Sequence, residues 1–339
     1  VNEKTRRALG IGTVVAAMGI LLSAGLVVAL GVPASDHSAN PPSTVSSSPP
    51  PGAGAYFPTP IRHVVTIVLE NEEASSVYAA GPYETYLAHH YTYATEDYGV
   101  THPSEPNYLA LTGGSVFGRN GTDAYTVLPN ESIVDLLELR GETWGEFAQS
   151  MPTPCDVTDA YPYAVKHNPF VFYQDIVTNT TRCDSHVTDF GAWSADVAAN
   201  NIPNYAFITP NLLNDGHDTG VSYADAWLES WLAPLLTQPF ANSTLFVVTY
   251  DEGATNEGYS VGTTAIAGGN VFTVFVSPYT LNGGFYAAPV SHYNVLTTTE
   301  WLEGGPSAGE GDPRPDSVRL AVLRGRNPRL VLARDRFRP

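Results

Sequence analysis

Two apolar runs in this chain each end on a pair of oxygen donors. His63–Asn71 reads H-V-V-T-I-V-L-E-N and closes on Glu70 and Asn71, and Thr244–Gly253 reads T-L-F-V-V-T-Y-D-E-G and closes on Asp251 and Glu252. Each run is short, β-branched and uncharged inside, the pattern of a strand buried on both faces. In open α/β sheets the ligand crevice lies beyond the carboxyl ends of the strands. Hard oxygen donors gathered there suit Ca²⁺, Mg²⁺ or Mn²⁺ better than Zn²⁺. A cation in that position serves phosphoryl or acyl chemistry.

Ser104 is the candidate nucleophile. It sits in the turn H-P-S-E-P-N-Y, directly before the apolar helical run Tyr108–Leu111. A hydroxyl at a helix N-terminus faces partial positive charge and free N–H groups, although serine in that place is most often only an N-cap. His102, His167, His217 and His292 fall in loops or at element starts among polar neighbours. His217 lies in N-D-G-H-D after a strand end, where Asp215 and Asp218 can orient its ring, and His292 opens the last helix. His37, His89, His90 and His186 read as solvated surface residues.

The elements that must position these groups alternate. Strands are expected at Arg62–Leu69, Tyr205–Thr209, Thr244–Tyr250 and Val271–Val276. Helices are expected around Tyr83–His89, Asn130–Leu139, Tyr223–Leu236 and His292–Leu302, and the stretch 154–185 reads as loop. This order predicts an α/β fold, a largely parallel central sheet with helices on both faces.

The formal charge is −18, and between Ile61 and Leu302 five basic residues (Arg62, Arg119, Arg140, Lys166, Arg182) face 27 acidic ones. So acidic a body argues against nucleic-acid binding and against attraction to anionic membranes. Lysine is nearly absent, occurring only as Lys4 and Lys166.

Lys4, Arg6 and Arg7 precede an uncharged stretch, Ala8–Val32, long enough for a membrane span. The expected organisation is therefore an anchor or signal segment (1–32), a Pro/Ser-rich linker (33–60), a catalytic domain (61–302) and an Arg-rich tail (303–339). The basic flank places the body outside the cytoplasm, membrane-anchored, or secreted if the segment is cleaved. Cys155 and Cys183 then fit a disulfide in an oxidising compartment. Oligomeric state is not readable.

The series E-N, S-E-P-N-Y-L-A-L-T-G, H-N-P-F, N-Y-A-F-I-T-P-N-L-L-N-D-G-H-D, V-V-T-Y-D-E-G and S-H-Y-N-V-L-T-T-T-E, in that order from about Arg62 to Leu302, resembles the phosphoesterase family. That family groups bacterial phospholipases C with acid phosphatases of the alkaline-phosphatase-like superfamily. The resemblance implies an alkaline-phosphatase-like fold and metal-dependent phosphoester hydrolysis. Glu70, Asn71, Asp251 and Glu252 would hold a divalent cation together with the hydroxyl of Ser104, which would attack phosphorus and form a phosphoserine. His217 and His292 would bind a second metal, contact phosphate or protonate the leaving group. Asn107 and His167 would be further phosphate contacts, with His102, Asp215 and Asp218 beside them. The family's usual E-N-[KR]-[ST]-F-D run is replaced after Asn71 by Glu72-Glu73-Ala74-Ser75-Ser76, which alters the entry loop. The expected substrates are small phosphomonoesters. The alternatives are phosphodiester headgroups of phospholipids or, in another class, an inactive surface-anchored binding protein.

Overall fold

The computed structural model describes residues 60–280 and 284–303. Its strands are β1 (His63–Leu69), β2 (Thr92–Tyr98), β3 (Trp144–Ala148), β4 (Val187–Thr188), β5 (Tyr205–Thr209), β6 (Thr244–Tyr250), β7 (Tyr259–Val261), β8 (Thr264–Ile266), β9 (Asn270–Val276), β10 (Phe285–Tyr286) and β11 (Val290–Ser291). The helices are α1 (Ala74–Ala80), α2 (Pro82–His90), α3 (Glu105–Gly113), α4 (Ile133–Leu139), α5 (Gln174–Val177), α6 (Thr180–His186), α7 (Phe190–Ala199), α8 (Val221–Leu236) and α9 (His292–Leu302).

The main sheet runs β10-β2-β9-β6-β1-β5-β3-β4, with β11 also pairing β2, and β7 and β8 form a separate hairpin. Pairing is parallel from β6 across to β4. Only β9 runs against its neighbours β6 and β2. The expected largely parallel sheet is therefore present, with helices on both faces.

Period-two alternation divides the core between the two faces. Val64, Val68, Phe207, Leu245 and Val247 pack with residues of α3, α4 and α9. Val65, Ile67, Ile208, Phe246 and Val248 pack with residues of α1, α2, α7 and α8. Strand β6 is buried at every position, as its uncharged run requires.

Several elements differ from expectation. Strands β2 and β3 carry Glu96, Asp97 and Glu146 inside them, and helix α7 begins from an Asp189 cap that accepts from Gly191 N–H. None of the three shows the apolar signature that marks β1 and β6. The stretch 154–185 is not plain loop, for it holds two 3₁₀ turns followed by α5 and α6. Cys155 and Cys183 bracket most of it and form a disulfide, Cα atoms 5.4 Å apart.

The membrane-anchored, extracytoplasmic location is corrected. Among the described residues no helix is long and apolar enough to cross a membrane. The longest, α8, has 16 residues and includes Asp225 and Glu229, against roughly 20 apolar residues for a span. The stretch 1–32 that prompted the expectation, residues 33–59 of the linker, and the tail beyond Glu303 lie outside the described residues.

Candidate functional site

Register brings the two acidic strand ends together. Strands β1 and β6 pair in phase through Leu69 opposite Tyr250, and Asp251 N–H then donates to the Leu69 carbonyl at 3.0 Å. Glu70 and Asp251 therefore leave the sheet side by side, both fully buried. Asn71 turns the chain with φ 61°, a left-handed conformation that asparagine tolerates better than most residues. Its N–H donates to Asp251 Oδ1 at 3.0 Å, and its amide donates to Glu70 Oε2 at 2.6 Å.

Ser104 precedes α3, is 1% exposed, and makes no capping bond to that helix. Its hydroxyl donates instead to Glu252 Oε1 at 3.4 Å and accepts from Lys166 Nζ at 3.2 Å. The capping reading is thereby displaced: the side chain is committed across the fold. Asn107, one turn on, is occupied by the loop that carries Ser104. Its Oδ1 accepts from Val100 and Thr101 N–H, and its Nδ2 donates to the Thr101 and Pro103 carbonyls. In this arrangement it braces the turn that carries Ser104.

His167 is buried between two carboxylates, Nε2 against Glu70 Oε1 and Nδ1 3.4 Å from Asp215 Oδ2, and it stacks on Tyr108 with centroids 5.2 Å apart. Burial alone would lower its pKa, but Glu70 and Asp215 outweigh burial and raise it to about 9. The reciprocal holds for Glu70. Burial pushes it up, yet His167 and Lys166 bring it down to about 2. Asp215 also accepts from His217 N–H at 2.8 Å. The His217 ring lies 6.2 Å from that of His167 and donates from Nδ1 to Asp218 at 2.7 Å, both groups partly exposed. This leaves His217 Nε2 on the accessible side.

His102 uses Nδ1 for Glu252 Oε2 at 2.5 Å and Nε2 for the Thr255 carbonyl at 2.8 Å. His292, at the start of α9, donates from Nε2 to the Asp251 carbonyl, which leaves Nδ1 a buried lone pair with no partner. Burial lowers its pKa to about 4, so the ring is neutral near pH 7. Ser104, Glu70, Asn71, Asp251, Glu252, His167 and His292 thus form one connected cluster, with His217 and Asp218 at its rim.

The residue that sequence reading left without a role is Lys166. Besides Ser104, its amine stands 3.6 Å from Asp123 Oδ2. The available signal was compositional: in a body almost devoid of lysine, this one adjoins His167.

The charge balance here is unusual. Burial and the charges of Glu70 and Glu252 drive Asp251 well above the usual carboxylate range, and Asp251 Oδ2 is buried without a hydrogen-bond partner. Burial likewise raises Glu252 to about 7, His102 opposing the shift and Glu70 adding to it. Such oxygens match a hard cation in kind. Among the described residues, however, no three His, Cys, Asp or Glu side chains stand in a geometry that could hold a metal ion. The Glu70 carboxylate is turned toward His167 and Asn71.

The same segment is recognised in other proteins. The model of the Phosphoesterase family matches residues 77–304. An acid phosphatase of Aspergillus fumigatus is 36% identical over 228 residues, covering 64% of this chain and 49% of that protein. A probable acid phosphatase of Kluyveromyces lactis is 35% identical over 76% of this chain and 61% of its own length. The chain thus spans about half to three-fifths of these relatives. It covers more of the phosphatidylinositol-3-phosphatase of Mycobacterium tuberculosis, 87% of that protein and 80% of this chain at 31% identity. In fold, an alkaline phosphatase superfamily protein from Vibrio parahaemolyticus aligns over 74% of this chain and 68% of its own, with TM-score 0.52 and 12% identity. The lipoteichoic acid synthase LtaP of Listeria monocytogenes aligns over 76% and 75%, with TM-score 0.52 and 11% identity. With the family match spanning the strands and helices that carry Ser104, Lys166, Asp251 and His292, the chain belongs to the phosphoesterase family.

Proposed function

We propose that this protein hydrolyses phosphomonoesters with Ser104 as nucleophile and a divalent cation held by Glu70, Asn71, Asp251 and Glu252. The observation that carries the reading is the Ser104 hydroxyl, buried yet unused by its own helix and directed at Glu252. The relatives named as acid phosphatases support the reaction class. The donor set and the unpartnered Asp251 Oδ2 support the cation.

The chemistry proceeds as follows. Ser104 Oγ attacks phosphorus while its proton passes to Glu252 Oε1, the carboxylate oxygen that its hydroxyl faces at 3.4 Å. The Oγ–P bond forms as the P–O bond to the alcohol breaks, and the alcohol oxygen leaves with the bonding pair and takes a proton from His217. Water then attacks phosphorus and gives a proton back to His217. The Oγ–P bond breaks with Ser104 Oγ taking the bonding pair and regaining the proton held by Glu252, and inorganic phosphate departs. A bound cation would neutralise charge on the phosphoryl oxygens. His292, neutral with its Nδ1 lone pair free, serves as a ligand or proton acceptor, and His167 holds Glu70 in place. The Mycobacterium relative's name supports a monoester on an inositol-lipid headgroup as one substrate.

The test is the full chain on p-nitrophenyl phosphate, before and after chelation and single-metal add-back, with Ser104→Ala alongside. Loss of the nucleophile is expected to lower kcat by about 10³-fold or more. Undiminished turnover by the variant would sink the proposal.

A further inference from the structure

Lys166 presents a positive charge to the nucleophile in a site otherwise lined with carboxylates. Its ammonium lies 3.2 Å from Ser104 Oγ, part-buried with 22% of the side chain exposed. Three other basic side chains are committed elsewhere. Arg119 pairs with Glu105, and Arg182 with Asp135, Glu138 and Asp175. His167 is enclosed between Glu70 and Asp215.

Asp123 sets the position of the amine. One of its oxygens accepts from Glu105 N–H at 2.9 Å, in the first turn of α3, and the other faces Lys166 at 3.6 Å. The lysine is thereby held over the helix start where Ser104 stands, rather than free to follow solvent. Asp123 is itself partly exposed, so its attraction is screened; against burial, Glu70 and Asp251 also act on the ammonium and keep it charged beside Ser104.

Resting on the phosphoesterase reading above, we propose that Lys166 is a catalytic residue that binds a non-bridging oxygen of the substrate and selects phosphomonoesters over phosphodiesters. A monoester carries close to two negative charges at neutral pH, whereas a diester carries one. The carboxylates around Ser104 repel both, and the second charge of the monoester has Lys166 as its fixed counter-charge. Removing the ammonium therefore harms the dianion more than the monoanion.

The experiment compares wild type, Lys166→Ala, Lys166→Arg and Ser104→Ala on p-nitrophenyl phosphate and on bis-p-nitrophenyl phosphate, with thermal melts to verify folding. Binding of inorganic phosphate is measured in parallel, with and without added metal. Lys166→Ala is expected to lose about 100-fold in kcat/KM on the monoester and less than about fivefold on the diester, where one fewer charge needs compensation. Phosphate binding should weaken with and without metal. Lys166→Arg should recover most of the monoester rate, because charge is retained. Equal losses on both esters, or no loss on either, would overturn this inference while leaving the Ser104 mechanism standing. A wild type that turns over neither ester, or a fully active Ser104→Ala, would instead remove the functional reading and this inference with it.

Discussion

Arg182 meets three carboxylates and Ser104 faces the buried pair Asp251-Glu252 through Glu252, and the two clusters are balanced in opposite ways. Asp135 and Glu138 meet the Arg182 guanidinium at 2.7 and 2.9 Å, with Asp175 as the third partner, and the guanidinium lies over Trp144. Burial pulls Asp135 upward, but the Ser132 N–H and Arg182 hold it below the ordinary range. Around Ser104, Asp251 and Glu252 are driven upward instead, and Asp251 keeps a buried oxygen without a partner. The first cluster is complete from the chain's own side chains, so it stabilises α4 and α6. The second holds more carboxylate than Lys166 and His167 offset, since Asp251 and Glu252 stay driven upward beside them, and the fold bears that cost where the chemistry is proposed.

Substitution at the two clusters should therefore move different observables. Asp251→Asn is expected to cut phosphatase turnover by about 10³-fold, by removing a proposed cation ligand. In chelator its melting temperature should hold or rise, because a buried uncompensated carboxylate has gone. A fall in melting temperature with full activity would reverse the assignment. Asp135→Asn is the counterpart: activity unchanged and stability lower by about 1 kcal/mol, from a weakened cap and ion pair, read by urea denaturation.

The next effect concerns the tether of the site. Lys166 and His167 lie inside the segment closed by Cys155–Cys183, which are 28 residues apart. Cys155→Ser together with Cys183→Ser should lose about 3 kcal/mol in the chain-entropy view. KM for the monoester should rise more than kcat falls, since the lost constraint acts on Lys166, proposed to meet substrate, and on His167, which holds Glu70. An unchanged KM would show that the segment is positioned by its packing alone.

The smallest effect is a pH slope. Burial raises Asp97 in β2 to about 7, with Thr273 and the Tyr98 N–H opposing. The folded state then holds this proton more tightly than the unfolded one, so the stability it contributes is full below about pH 4 and is lost as pH rises through 7. Glu252 and Glu303 act in the same sense. Metal-free protein should thus melt lower at pH 8 than at pH 5. Asp97→Asn should remove up to about 1.4 kcal/mol per pH unit of that slope. Asp135 has the reverse sign, and its contribution fails only as pH falls below the ordinary carboxylate range. A flat profile between pH 5 and 8 would show that Asp97 is not titrating.

Local chemistry alone determined much of this protein. The uncharged β-branched runs ending at Glu70-Asn71 and Asp251-Glu252 specify buried strands and place donors at their carboxyl ends, because a two-sided burial pattern needs no partner to be recognised. The Pro-flanked turn before α3 placed Ser104 at a helix start but by itself read as an N-cap, and only the resemblance to the phosphoesterase family singled it out as a nucleophile candidate. Strands β2 and β3 were not legible, since Asp97 and Glu146 break the apolar run; Asp97 accepts from the adjacent Tyr98 N–H and Glu146 from the Thr209 hydroxyl of β5. Tertiary structure alone decided what the site side chains do. Glu252 lies 148 residues from Ser104, and Lys166 lies 62 residues away. His167 met two carboxylates, and Asn107 was spent on its own loop. A hydroxyl, an amide or an ammonium has no periodicity that encodes its partner. Its role is set by which charge and which carbonyl the packed sheet brings within about 3 Å.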